Sequence, residues 1–286
     1  MATKPAIVVI SSHVARGCVG NRAAGFALEV MGYPVWMVPT VTLPWHPGHI
    51  PVAGAGRKIV PAQKDFTDLL NDLSSSPWIG EVGAILSGYL GNAEQAVAVG
   101  HFVEQIKQKN PNAIYAMDPV CGDNGRLYVA KTQADALVEH LVPRADIVTP
   151  NTFELSVITN TELGRSNQDS VEASKTLNGK AVLVTSSPGL KLNSIANLLV
   201  EGETAHLVEH PRLQGPPNGL GDLTSALFLG NLLDGLGPKD ALVKTTSSVH
   251  ECMALAARLQ QDELVLEASL KSLISPRYPV ESRILL

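Results

Sequence analysis

Apolar residues fall along this chain in short runs that alternate with longer stretches of helical spacing. IVVI (residues 7–10), PVWMVP (34–39), VGAILSG (82–88), AIYAMDP (113–119), ADIVTPN (145–151) and AVLVTSS (181–187) read as strands. Their continuous apolar character fits burial on both faces rather than on one. NRAAGFALEVMG (21–32), AEQAVAVGHFVEQIKQKN (93–110), TQADALVEHLV (132–142), TFELSVIT (152–159) and SVEASKTLN (170–178) fit helices. SIANLLV and TAHLV, joined by EGE, read as two short strands, and DLTSALFLGNLLDG and PKDALVKTTSSVHECMALAARLQ as long helices near the end. SSHVARGCVGN reads as a polar loop, the Pro-, Gly- and His-rich Thr40–Gly56 as a long surface loop, and the C-terminus as partly helical.

Strands alternating with helices predict an α/β chain with a mostly parallel sheet covered on both faces. No repeat or low-complexity linker divides residues 1–286, so a single domain is expected. In such sheets ligands bind beyond the C-terminal strand ends. The polar residues there are Ser12, Tyr89, Asp118, Asn151 and Thr185, with Asp222 opening a helix.

Composition narrows the class of activity. A net charge of -5 argues against nonspecific nucleic-acid binding, and no run of 18 apolar residues could span a membrane. MATKPAIVVISSH turns polar too early for a signal peptide, and Cys18, Cys121 and Cys252 are scattered, without a CxxC pair. A cytoplasmic protein with free thiols is expected. Neither GxGxxG, GxxxxGK[ST] nor GxSxG occurs, which excludes the nucleotide loops and the nucleophile elbow those patterns signal.

The candidate chemistry has two readings at each place. In NGLGDLTSALF (218–228), Gly219, Leu220 and Gly221 precede Asp222 at a helix start. Free amides and the helix dipole there suit an anion, with the carboxylate able to take a proton from an attacking hydroxyl. Asp222 could equally cap the helix. Asp118 and Asp123, in MDPVCGDNG, suit Mg²⁺ beside phosphate oxygens or a solvated turn. Asn151 and Glu154 have the spacing of a capping pair as well as of ligands. His46 and His49, in WHPGH, lack a third clustered ligand for zinc.

Taken in order, SHVARGCVGNRAA, SGYLG, MDPVCGD, IVTPNTFE and GLGDLTSA resemble the pyridoxal kinases of the ribokinase-like superfamily. The likeness runs from Ile7 to the last helix; GxGD is shared across the superfamily, whereas SHVxxGxVGN and DPVxGD with TPNxxE are more specific. It implies a three-layer α/β/α fold and ATP-dependent phosphorylation of the 5′-hydroxyl of pyridoxal, pyridoxine or pyridoxamine. By the same resemblance Asp222 is the general base, with the amides from Gly219 through Leu220 and Gly221 as an anion hole. Ser12, Val41, His46, Tyr89 and Asp123 match substrate-side positions. Asp118 and Glu154 match acidic residues near Mg²⁺, and Thr149, Asn151, Thr185 and Ser186 match nucleotide-side positions. Mg²⁺, a monovalent cation (usually K⁺) and a homodimer complete the implied picture.

Two departures stand out. VTLPWHPGH occupies the place of the family's VQFSNHTxY-like segment: Leu43 replaces an aromatic, Pro47 a threonine, Trp45 is new, and His46 stays in step. Leu220 stands where many animal-type members carry Thr. The first leaves the preferred vitamer open and keeps a hydroxymethylpyrimidine kinase in view. A non-catalytic pyridoxal phosphate binder is the rival of another class, disfavoured by retention of Asp222, Asp118 and Glu154 together.

Overall fold

The computed structural model describes residues 4–164 and 166–285. The strands are β1 (Ala6–Val14), β2 (Val35–Leu43), β3 (Val82–Ser87), β4 (Ile114–Met117), β5 (Gly122–Asp123), β6 (Arg126–Leu127), β7 (Ile147–Val148), β8 (Ala181–Pro188), β9 (Ser194–Glu201), β10 (Thr204–Pro211) and β11 (Glu281–Ile284). All but the β5–β6 hairpin join one nine-stranded sheet, ordered β11-β10-β9-β8-β7-β4-β3-β1-β2. Pairing is parallel from β2 through β8 and antiparallel from β8 through β11.

The α-helices among the described residues are α1 (Asn21–Val30), α2 (Ile50–Ala53), α3 (Gln63–Ser75), α4 (Ala93–Lys109), α5 (Lys131–Ala136), α6 (Thr152–Thr159), α7 (Asn167–Lys175), α8 (Leu220–Leu233), α9 (Pro238–Arg258) and α10 (Leu270–Ile274). The strand period of two divides the core between two faces. Ile7 and Val9 of β1 pack with α1, α8 and α9, while Val8 and Ile10 pack with α3 and α4. Each such side chain contributes about 1.5–3 kcal/mol on burial. Three layers result, α/β/α, as the alternating pattern requires.

The crossovers fix where a ligand can enter. The connection through α1 leaves β1 for β2 on one face, whereas β3 lies on the other side of β1 and continues through α4 on the opposite face. The chain therefore parts between the C-terminal ends of β1 and β3, and a crevice opens there.

Several expectations need correction. β1 does not stop at Ile10: Ser11, His13 and Val14 still pair with Pro39, Thr42 and Leu43 of β2, with an irregularity at Ser12. Polarity in SSHV marks the ligand end of a strand rather than its termination. β2 likewise continues to Leu43, so Thr40–Leu43 are strand, and Thr40 and Val41 are fully buried. Only the remainder of the expected loop leaves the sheet, as a 3-10 turn at Pro47–His49 running into α2. The helix read into residues 132–142 loses α geometry after Ala136, passing into a π turn (Leu137–Leu141) and a 3-10 turn around Pro143. The C-terminal segment is partly helical as expected, through α10, and adds the strand β11, which pairs along β10.

Candidate active site

Helix α8 starts at Gly219, which adopts a left-handed conformation (φ 88°). No side chain caps this end, and Asp222 is the third residue inside the helix rather than its cap. The capping reading of NGLGD is thereby not realised, and no side chain from the cap position engages the first amides of α8. Gly219 is needed for space as well as angle. A Cβ there would lie 2.0 Å from the Cys18 carbonyl oxygen, and one at Gly20 (φ 55°) would lie 2.2 Å from the Ser12 carbonyl. The loop after β1 and the start of α8 are thus in backbone contact. Gly219→Ala should cost about 1–2 kcal/mol for the left-handed conformation alone and force the Cys18 loop away. A lowered Tm together with a turnover loss of roughly tenfold or more, read by thermal melts and steady-state kinetics, is the expected outcome.

Behind these amides lies an acid cluster. Asp118 follows β4 and is 6% exposed; Glu154 sits in the first turn of α6 and is 4% exposed; Asp222 is half-buried. Burial raises all three carboxyls. Asp222 is lifted to about 6, with the Gly20 amide and its own amide pulling the other way. Glu154 is lifted to about 7 against the opposing pull of the Asn151, Cys121 and Gly122 amides. Asp118 is pushed well above the ordinary range, first by burial and then by the charges of Glu154 and Asp222. The Ser225 hydroxyl, 3.2 Å from Asp118 Oδ2 and 2.7 Å from the Thr149 hydroxyl, partly offsets this.

Glu154 also holds the neighbouring loops in place. Its Oε1 accepts from the Cys121 amide (3.0 Å) and its Oε2 from the Asn151 amide (2.9 Å), while Asn151 Oδ1 accepts from the Glu154 amide. This capping box starts α6 and ties MDPVCGD to TPNTFE. Among the described residues no three His, Cys, Asp or Glu side chains converge tightly enough to hold an ion by themselves. Hard oxygen donors, too few to enclose an ion, suit Mg²⁺, which keeps waters or phosphate oxygens in its shell.

The other sequence-selected residues distribute around this centre. Ser12 is buried where β1 breaks register. Val41 is fully buried beneath Gly91. Tyr89 accepts a hydrogen bond from Lys58 Nζ at 3.0 Å. His46 Nδ1 accepts from the Gly48 amide, and burial lowers its pKa. Asp123 is exposed on the β5–β6 hairpin, bound to the Asn124 amide, and its charge helps raise the Glu154 carboxyl. Thr185 and Ser186 fall at a bulge in β8, with Ser186 exposed at φ 57°.

Sequence reasoning missed Ser11, Ser87, Gly88 and Ser225. With Asp118 and Asp222 they line a cavity of about 10 Å³, room for one water. The Ser11 hydroxyl there is buried without a partner, and a Cβ on Gly88 would lie 3.6 Å from Asp222 Oδ1. Two signals were available. Ser11 follows Val9 by two along a strand and so shares its face, and Ser225 follows Asp222 by three along a helix.

A family model described as phosphomethylpyrimidine kinase matches residues 79–266. The chain is 37% identical over 282 residues to pyridoxal kinase PdxY of Rubrobacter xylanophilus, with 96% of each chain covered. It is 34% identical over 293 residues to pyridoxal kinase PdxY of Pseudomonas putida, covering 100% of this chain and 99% of that one. The fold is similar to the solved pyridoxal kinase of Leishmania donovani in complex with ADP and pyridoxine: TM-score 0.88 at 25% identity, over 98% of this chain and 99% of the other.

Proposed function

The chain belongs to the pyridoxal kinase family, and from that premise we propose that it transfers the γ-phosphoryl group of ATP to the 5′-hydroxyl of a B6 vitamer, with Asp222 as general base. The observation that carries the assignment of Asp222 is its position one turn inside an uncapped helix start, at the crevice between β1 and β3.

The chemistry follows from that position. The vitamer hydroxyl oxygen bonds to the γ-phosphorus as the bond to the ADP oxygen breaks, and the hydroxyl proton passes to the Asp222 carboxylate. The amides of Leu220 and Gly221, with the positive end of the α8 dipole, stabilise negative charge on the transferred group. A carboxyl lifted to about 6 is ionised at neutral pH yet basic enough to accept a proton. Asp118 and Glu154 would hold Mg²⁺, through water or phosphate oxygens, and the ion would supply charge neutralisation. Their mutual repulsion in a buried site with no cation among the described residues beside them supports this. Thr149, Asn151, Thr185 and Ser186 flank the nucleotide side, and Ser12, His46 and Tyr89 the vitamer side. A monovalent cation such as K⁺ and a homodimer are part of the proposal through the family resemblance.

The matching family model favours one second reading, a hydroxymethylpyrimidine kinase. A coupled ADP-release assay over pyridoxal, pyridoxine, pyridoxamine and hydroxymethylpyrimidine separates the two. Turnover with a vitamer and little with the pyrimidine is expected; the reverse order would transfer the assignment to the second reading, and silence with all four would end both.

A further inference from the structure

Glu263 lies in the turn after α9, outside the acid cluster, yet it is only 8% exposed. A carboxylate so placed requires donors, and it draws them from two distant segments. The His49 imidazole donates from Nε2 to Oε1 at 2.6 Å, and the Cys18 amide donates to Oε2 at 3.3 Å. Arg16 Nη1 stands 3.5 Å from Oε1, while its Nη2 is paired with Asp262 at 2.8 Å. Gly17 lies flat on this carboxylate at φ 101°, where a Cβ would come within 2.3 Å of Oε1.

What these segments touch next gives the arrangement its meaning. Cys18 presses its carbonyl on Gly219, the residue that starts α8. On the other side, a Cβ on Gly48 would lie 3.1 Å from Nδ2 of Asn218, which immediately precedes Gly219. Glu263 therefore fastens the WHPGH turn and the loop after β1 to each other, and both bear on the start of NGLGD. Beyond the turn, α2 buries no side chain, with Ile50 46% and Val52 93% exposed, and His49 Nδ1 adds only a 3.6 Å approach to Asp262.

We propose that Glu263 is a positioning residue for substrate selection, the clasp that seats the WHPGH turn over the vitamer side of the site through His49. This rests on the kinase reading above. With the clasp made, Trp45, His46 and Pro47 form a fixed wall, so vitamer affinity depends on it. The nucleotide side, built from β8 and the start of α6, does not.

The test is a double-mutant cycle of His49→Ala and Glu263→Gln. Steady-state kinetics with vitamer and ATP varied separately would be joined by hydrogen exchange over residues 47–53. Each single variant should raise the vitamer KM by about tenfold while leaving the ATP KM within about twofold. The double variant should fall clearly short of the sum of the two single effects, since the His49–Glu263 contact is common to both although each side chain has further partners. Exchange at 47–53 should quicken in both singles while α8 stays protected. Independent effects, an equal rise in both KM values, or an unchanged vitamer KM would overturn the proposal. Should Glu263→Gln fail to fold, His49→Ala alone must show the KM split. Should the wild-type chain turn over no vitamer, the kinase reading falls, and unchanged exchange at 47–53 in His49→Ala then overturns the clasp as well.

Discussion

Asp222→Asn should lower turnover by roughly 10² or more, the usual loss with a general base, without lowering the Tm. The substitution keeps the size and the hydrogen-bonding oxygen of the side chain and removes only its basicity. Asp222 sits inside α8 without capping it, so the helix loses no cap. The wild-type pH profile provides an independent reading. The base must be ionised in free enzyme, and its carboxyl is lifted to about 6. The kcat/KM for the vitamer should therefore fall as pH drops through that region. Because Asp118 and Glu154 lie close by, the limb reports the cluster as a whole. A variant that turns over near the wild-type rate would reduce Asp222 to a bystander.

The second large effect is expected at Asp118, where activity and stability should move in opposite directions. Its carboxyl is raised in the folded protein, as are those of Glu154 and Asp222. A carboxyl with a raised folded pKa binds its proton more tightly folded than unfolded. Stability is therefore lost as pH rises from the unfolded value toward the folded one, between about 4.5 and 7 here. For Glu154 alone the shift corresponds to an order of 3 kcal/mol. Metal-free protein should lose Tm across that window, and MgCl₂ should restore more of it at pH 8 than at pH 5. Asp118→Asn removes one buried charge while retaining an acceptor for the Ser225 hydroxyl. It should melt higher than wild type without Mg²⁺ at pH 8, respond less to the ion, and turn over roughly 10-fold to 10²-fold more slowly. A variant that still gains the full Mg²⁺ stabilisation would remove Asp118 from the metal site.

The sheet was largely legible because buried parallel strands leave a plain signature: IVVI and AVLVTSS lie within observed strands, and VGAILSG overruns β3 by Gly88 alone. Strand ends were less legible for a physical reason. Ser11, His13 and Thr42 pair through their backbones, and a ladder is indifferent to side-chain polarity. The same error hid Ser11, since a residue assigned to a loop has no face. The centre of the site was readable where chemistry and geometry coincide within a few residues, as in NGLGD and in the Asn151–Glu154 pair. Glu263 carried no such mark. Its partners are 214 and 245 residues away in the chain, and only tertiary structure brings His49 and Cys18 to it.

Helix α8 is buried on every side, with all residues from Leu223 to Asn231 inaccessible between the sheet, α1 and α9. A rod so enclosed cannot rock or slide without opening the core on several sides at once. Whatever adapts the site to a different substrate must therefore lie outside α8, in the loops that bear on its start. The two sides of the site are in this sense mechanically unequal: one is set in the foundation of the protein, and the other is held by the few contacts of the Glu263 clasp. Changes in what the enzyme accepts can accumulate in the exposed, clasped turn at small thermodynamic cost, while α8 tolerates almost none.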